Sequence, residues 1–498
     1  MFRRPIKNTF DHGRRGLQWT HGQVLTPQAL RALLRLWRVV LFPLSLVLLG
    51  SVMQGYSNGT TDSFIVAFLL LLTGFTLVSL VFPGGRSEMR AFILTYSVCV
   101  FVGGLAQCYS LAVFNDPQST IDSFTFFREI SPEPPFTTMA NMSAINSPLA
   151  VLIWQQFYKI TWWLGLKFGP YTGVMFNALV MGLAGSLTVR TARELFGNDT
   201  WRLRSVGTLF AFCGLFILFG AVLIRDCFTT FFNALVFWGI VRWLVRPTLR
   251  NLIFAAVLTG VSAYAMFYLR PTALLLFGLY GCLAFLFWFV AKRLDAMRLV
   301  AVIFTLSVLL ATKPYLLGYI QSSQEFQGRA MISYAEDAEN SQAAADSLGM
   351  RLVVNQPLPI RMVLGSGALM VNPIPLWVNF KIGSLDYGWI KGYHGIYQML
   401  VLPLVFTGFI VVFQMYKKER EKATPLLFLA GYLLINLAAV VATSLEQRHI
   451  AQFMPAFMIL AALPDTREKK TRKALRTITM CWFVVVILVH LAWAIMKG

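Results

Sequence analysis

Long apolar runs separated by short polar and basic segments dominate the chain. A helix needs about 20 apolar residues to cross roughly 30 Å of hydrocarbon. About thirteen segments are candidates: 38–55, 64–83, 91–114, 171–189, 205–224, 228–245, 251–269, 272–291, 299–317, 396–415, 424–443, 450–464 and 477–496. These runs lack the alternation of barrel strands, and backbone groups in lipid must be hydrogen-bonded within their own segment. The pattern therefore predicts an all-α, polytopic integral membrane protein.

Composition and charge narrow this prediction. The chain has 498 residues, of which 57% are hydrophobic and 13% charged, and its mean hydropathy of +0.64 excludes an ordinary soluble globule. Thirty of the 43 Lys and Arg residues lie in segments that face the cytoplasm if the N-terminus does. This asymmetry follows the positive-inside rule and predicts an N-in/C-out topology. The net charge of +21 then suits anionic membrane lipid, and no nucleic-acid partner is expected.

The same topology divides the chain into five parts. Residues 1–37 form a basic cytoplasmic segment without a signal-peptide pattern, 38–90 a two-helix hairpin, and 91–317 a transmembrane core with an external loop at 115–170. A second external polar loop covers 318–395, and further transmembrane helices cover 396–498.

Within the first external loop, the apolar stretch 148–165 is predicted to be an amphipathic helix at the outer interface. If it crossed the membrane, the four arginines of 190–204 would lie outside. Its aromatic side chains suit the headgroup level; they are Trp154, Tyr158, Trp162 and Trp163.

Ionisable residues gather at the predicted outer ends of the spans, where charges near hydrocarbon tend to mark function or pairing. They are Asp116, Asp122, Arg225, Asp226, Arg270, Lys313, Glu446, Arg448 and His449. An external aspartate can act as a general base toward an acceptor hydroxyl. Arginines can hold a phosphate leaving group through bidentate, charge-assisted hydrogen bonds. Each arginine has a purely structural alternative, in which it reaches the interface or pairs with a nearby carboxylate.

The sequence indicates no cofactor. Its six cysteines lie in or at the edge of the predicted spans, with no CxxC or Cys/His ligand spacing, so neither a disulfide nor a zinc site is expected. A divalent metal has no sequence signature here.

The order of these pieces resembles the polyprenyl-phosphate-dependent membrane glycosyltransferases of the GT-C superfamily, related to the protein mannosyltransferases. The matching pieces run in chain order through TIDSFTFFREI, INSPLAVLIWQQFYKITWWLG, FNALVMGLAGSLTVRTARELFG, LIRDCFTTFF, FYLRPTALLL and RHIAQFMPAFMILAA. The resemblance covers roughly 91–465. It implies that the acid of the first external loop is the general base, and this place maps best onto Asp122, with Asp116 as the competitor.

The expected function is transfer of a sugar from a polyprenyl-phosphate donor to a glycan, lipid or protein acceptor on the non-cytoplasmic face, in a bacterial inner membrane. Two alternatives remain open. A repeat-unit polymerase or ligase would use the same arginines without needing Asp122. A transporter of lipid-linked sugars would show charges deep inside its spans, where this chain has mainly the amides Asn177, Asn233 and Asn436.

Overall fold

The computed structural model describes residues 37–117, 121–130, 147–270, 273–292, 356–371, 380, 388–443 and 447–497. The chain divides into two compact units, Met1–Phe42 and Pro43–Gly498. In the first unit, the described part is a π-helical turn at Trp37–Leu41 together with Phe42, the first residue of the next helix. In the described ranges every regular element is helical, in agreement with the predicted all-α class.

The described helices are named in chain order. They are α1 (Phe42–Asn58), α2 (Asp62–Val81), α3 (Arg86–Phe114), α4 (Ile121–Ile130), α5 (Pro148–Trp163), α6 (Pro170–Phe196), α7 (Thr200–Ala211), α8 (Gly214–Ala221), α9 (Asp226–Val245), α10 (Leu249–Leu269), α11 (Ala273–Lys292), α12 (Leu358–Val371), α13 (Gly388–Lys418), α14 (Arg420–Thr443), a 3₁₀ helix (Gln447–Gln452), α15 (Met454–Ala461) and α16 (Lys469–Lys497).

Eight of the described helices are long and apolar enough to cross a membrane, or nine if α7 and α8 count as one span. They are α2, α3, α6, α9, α10, α13, α14 and α16. Helix α6 lies at the centre, since 89% of its most apolar window is buried, whereas only 11% of the corresponding window of α16 is buried. An apolar helix with so little protein cover is suited to contact with lipid tails.

Small residues allow the helices to approach closely. A Cβ atom added at Gly50 of α1 would lie 2.5 Å from the Val100 carbonyl oxygen of α3, and one added at Gly104 would lie 2.6 Å from the Gly50 carbonyl oxygen. The two backbones therefore touch, as is common where membrane helices associate through packing of small residues. This contact joins the predicted N-terminal hairpin to the core.

Three predicted boundaries differ from the structure. The span predicted over 205–224 is two helices, α7 and α8, bent by 55° at a short break. The span predicted over 450–464 is divided between the 3₁₀ helix and α15, which has eight buried residues and is too short to cross a membrane. The predicted loop 318–395 contains α12 and the start of α13, because an apolar fourteen-residue segment at 358–371 packs against α13 and α14. The span predicted over 299–317 lies outside the described residues.

A buried ion network marks one end of the bundle, the Glu88 end. Arg193 donates to both carboxylate oxygens of Glu88 at 2.7 and 2.6 Å, and the Glu88 side chain is fully buried. Glu194 forms ion pairs with Arg190 at 3.5 Å and with Arg246 at 3.3 Å. This network joins segments that were all predicted to be cytoplasmic. They share one end of the molecule, and the side of the membrane that this end faces stays a prediction.

Candidate functional site

The opposite end of the bundle, the His449 end, brings together the candidate arginines. Arg225 is the residue that precedes α9, and its Nη1 donates to the Ser147 hydroxyl, which in turn donates to the Leu269 carbonyl at 3.0 Å. Ser147 has a left-handed backbone with φ of 72°, which is uncommon for a residue other than glycine. One hydroxyl thus joins the start of α5, the start of α9 and the end of α10.

Arg270 and Asp226 form an ion pair at the same place. Arg270 Nη1 lies 3.5 Å from Asp226 Oδ1, and the side chains are only 18% and 9% exposed. Asp226 is the first residue of α9, where a carboxylate is favoured by the helix dipole. The carboxylate of Asp226, one of the candidate functional residues, is therefore paired with Arg270 at the end of α10.

The 3₁₀ helix supplies Arg448 and His449 to this end by packing against α8, α9, α14 and α15. Burial, followed by the positive charges of Arg270, Arg448 and Arg225, holds the pKa of the His449 imidazole well below its ordinary value of 6.5. Coulombic effects on a pKa fall off with distance, so the three guanidinium groups lie in the vicinity of this imidazole. Residues that are about 180–220 positions apart in sequence thus share one site.

A buried asparagine holds the backbone that precedes Arg225. Asn177 of α6 is fully buried, and its Nδ2 donates to the carbonyls of Val222 and Ile224 at 2.9 and 3.2 Å. Its Oδ1 accepts from Trp154 Nε1 of α5 at 2.8 Å. The segment between α8 and α9 is not helical, and these bonds add to the few other hydrogen bonds that its carbonyls accept.

Trp154 and Tyr158 lie elsewhere than predicted. Both side chains are fully buried, whereas those of Trp162 and Trp163 at the end of α5 are 45% and 74% exposed. Trp154 is buried because its indole N–H has a partner in Asn177 and its ring packs against Phe228, with 5.4 Å between centroids. Only the end of α5 keeps the exposed aromatic character that an interfacial helix requires.

The predicted acids lie in α4 and in the turn after α3. Asp122 is the second residue of α4, and its side chain lies outside what the structure describes. Helix α4 packs on α5, where the Phe126 and Trp154 rings are 5.4 Å apart. Through Trp154 and Asn177, the helix that carries Asp122 is therefore connected to the segment that carries Arg225.

Asp116 follows α3 in a turn. Its backbone carbonyl accepts from the Ser110 hydroxyl, and the preceding Asn115 is left-handed with φ of 57°. Asp and Asn are favoured in such turns, so Asp116 has a structural role here besides its candidacy as the base. Lys313, also a candidate, lies outside the described residues.

Sequence reasoning missed Ser147 and the role of Asn177. A lone serine before a proline has no distinctive sequence pattern. Asn177 stands out in the sequence only as an amide within a predicted span. The sequence matches no model of a known protein family and no curated protein.

Proposed function

We propose that the protein is an integral membrane glycosyltransferase that moves a sugar from a polyprenyl-phosphate donor to an acceptor on the non-cytoplasmic face. The convergence of Arg225, Arg270 and Arg448 around His449 supports this proposal most directly. Guanidinium groups bind phosphate oxygens bidentately, and their charge stabilises the negative charge that develops on a phosphate leaving group.

In the proposed reaction, the acceptor hydroxyl attacks the anomeric carbon of the donor sugar. The bond from that carbon to the phosphate oxygen breaks, and both of its electrons leave with the polyprenyl phosphate. The hydroxyl proton passes to a carboxylate, for which Asp122 is the proposed base and Asp116 the alternative. The arginines hold the departing phosphate.

A repeat-unit polymerase or ligase is the second candidate, for one specific reason. Among the described side chains of the cluster, the carboxylate is Asp226, and this group is ion-paired with Arg270. The geometry therefore supports phosphate binding more strongly than proton abstraction. A polymerase that relies on arginines and needs no carboxylate base would have such a site.

Lipid extracts from cells with and without the gene test the proposal. Loss of the protein should cause a polyprenyl-phosphate sugar to accumulate, and Arg270→Gln should do the same while Arg467→Gln should not. Arg467 is a matched control because its side chain is 75% exposed and pairs with Asp465 away from the cluster. Accumulation of a long repeat-unit carrier would favour the polymerase, and unchanged lipids would overturn both functions.

A further inference from the structure

Arg361 is a buried arginine that the proposed site does not use. It lies in the first turn of α12, and only 1% of its surface is exposed. Its Nε donates to the Val441 carbonyl at 3.0 Å. Val441 is in the last turn of α14, where carbonyls have no intrahelical partner, so this one bond is an ordinary helix C-terminal contact.

The two terminal nitrogens of the guanidinium, Nη1 and Nη2, have no comparable contact among the described residues. Arg361 Nη1 and Nη2 are both buried and have no hydrogen-bond partner among the described residues. Arginine stays protonated in proteins, so it cannot avoid the cost of burial by losing its charge. A buried charged donor without an acceptor is strongly unfavourable, whereas an oxyanion bound to both nitrogens removes this cost.

The position of Arg361 in the fold indicates which kind of oxyanion would bind to it. Val441 and Arg448 are seven residues apart, so at most about 25 Å of chain separates them. The 3₁₀ helix returns along α14, since Tyr432 Oη donates to the Gln452 carbonyl at 3.0 Å. Arg361 therefore lies at the His449 end, where the proposed donor phosphate binds.

We propose that Arg361 is the guanidinium of a second phosphate-binding site, separate from the Arg225, Arg270 and Arg448 cluster. Its two Nη groups form a planar fork that matches two oxygens of a phosphate ester. The identity of the ligand as a lipid phosphate rests on the proposed function. With two such sites at one end, one holds the phosphate of the donor and the other holds a phosphate that the acceptor carries.

Native mass spectrometry of the delipidated full-length protein tests the site without any transfer reaction. The probes are farnesyl phosphate, phosphatidylglycerol and inorganic phosphate, each titrated alone. The wild type should bind two molecules of farnesyl phosphate, while Arg361→Gln and Arg270→Gln should each bind one and the double variant none. Two molecules of phosphatidylglycerol with the same variant pattern would identify a phospholipid headgroup as the ligand instead, and retention of inorganic phosphate would show that the anion alone suffices.

Arg361→Lys separates binding from folding. Lysine keeps the charge and a donor for Val441 but loses the fork, so farnesyl phosphate affinity at this site should fall at least about tenfold while thermal stability stays near that of the wild type. Arg467→Lys is the matched control and should change neither quantity.

Three results would overturn the inference. A stoichiometry of Arg361→Gln equal to that of the wild type would mean that a carboxylate of the chain itself holds Arg361. Loss of all binding in either single variant would mean that there is one site. Binding by Arg361→Lys as tight as that of the wild type would exclude the fork. Sugar transfer is not measured in these experiments, so failure of the proposed function leaves them interpretable, and failure here leaves that function intact.

Discussion

Trp154 of α5 donates a 2.8 Å hydrogen bond to Asn177, a fully buried amide of the central helix α6. The same amide donates to the carbonyls of Val222 and Ile224. Asn177 thus connects α5, on which the helix of the candidate base Asp122 packs, to the segment that carries the candidate phosphate-binding Arg225.

Replacing Asn177 by Leu should destabilise the protein strongly. The change leaves the buried Trp154 N–H without its partner, at about 1–3 kcal/mol, and removes one of the hydrogen bonds to each of the Val222 and Ile224 carbonyls. Asn233→Leu is a matched control, since Asn233 is equally buried on α9 but its Nδ2 has no partner among the described residues. Thermal unfolding in detergent should show a clearly larger loss for Asn177→Leu, and equal losses would contradict the positioning role.

Substituting either partner of the Arg270–Asp226 ion pair should change donor affinity, but in different directions. Arg270→Gln removes a phosphate ligand and should weaken donor affinity by about 1.5–3 kcal/mol, the range for hydrogen bonds to charged groups. Asp226→Asn removes the competing carboxylate and should leave affinity unchanged or raise it. Titration of a polyprenyl-phosphate analogue measures both, and weaker binding in Asp226→Asn would show that the carboxylate itself positions the ligand.

His449 should make stability depend on pH. Its folded pKa lies well below the ordinary value of 6.5, so the unfolded chain binds more protons once the pH falls below about 6.5. Stability should therefore decrease with falling pH, by up to about 1.4 kcal/mol per pH unit, until the folded pKa is reached. Denaturation of the wild type and His449→Gln between pH 8 and 5 tests this, and parallel curves would show that the imidazole does not titrate differently on folding.

The two predicted external loops should be accessible from one side. Cysteines introduced at Ser131 and Ser341, in a background with the exposed Cys481 replaced by Ser, should react with an impermeant thiol reagent in intact cells. A cysteine at Asn198, beside the Glu88 end, should react only after permeabilisation. Labelling of one loop without the other would invalidate the predicted topology.

Asp122→Asn tests the proposed base. The amide keeps the shape of the carboxylate but removes its basicity, so sugar transfer should fall by about 10²–10⁴-fold while donor binding is retained. Asp116→Asn should do much less, because the described role of that residue is a turn contact through its backbone. Near-normal transfer by the purified Asp122→Asn variant would favour the polymerase or ligase.

The amino-acid sequence by itself determined the all-α membrane class and most helix positions. The cost of unpaired backbone groups in hydrocarbon forces long apolar runs to become helices, so the sequence pattern alone suffices. It also identified Arg225, Arg270 and Arg448 as candidates, because charges next to hydrocarbon are rare and conspicuous.

The tertiary structure alone decided what those candidates contact. Hydropathy carries no information on which helices are neighbours, so the meeting of Arg225 with Ser147 and of Arg270 with Asp226 could not be read from local pattern. The same holds for Arg361, which looked like a loop charge and is buried, and for 450–464, whose apolar run is covered by protein rather than lipid. Apolar surroundings made of side chains or of lipid leave the same pattern in a sequence, and only packing distinguishes them.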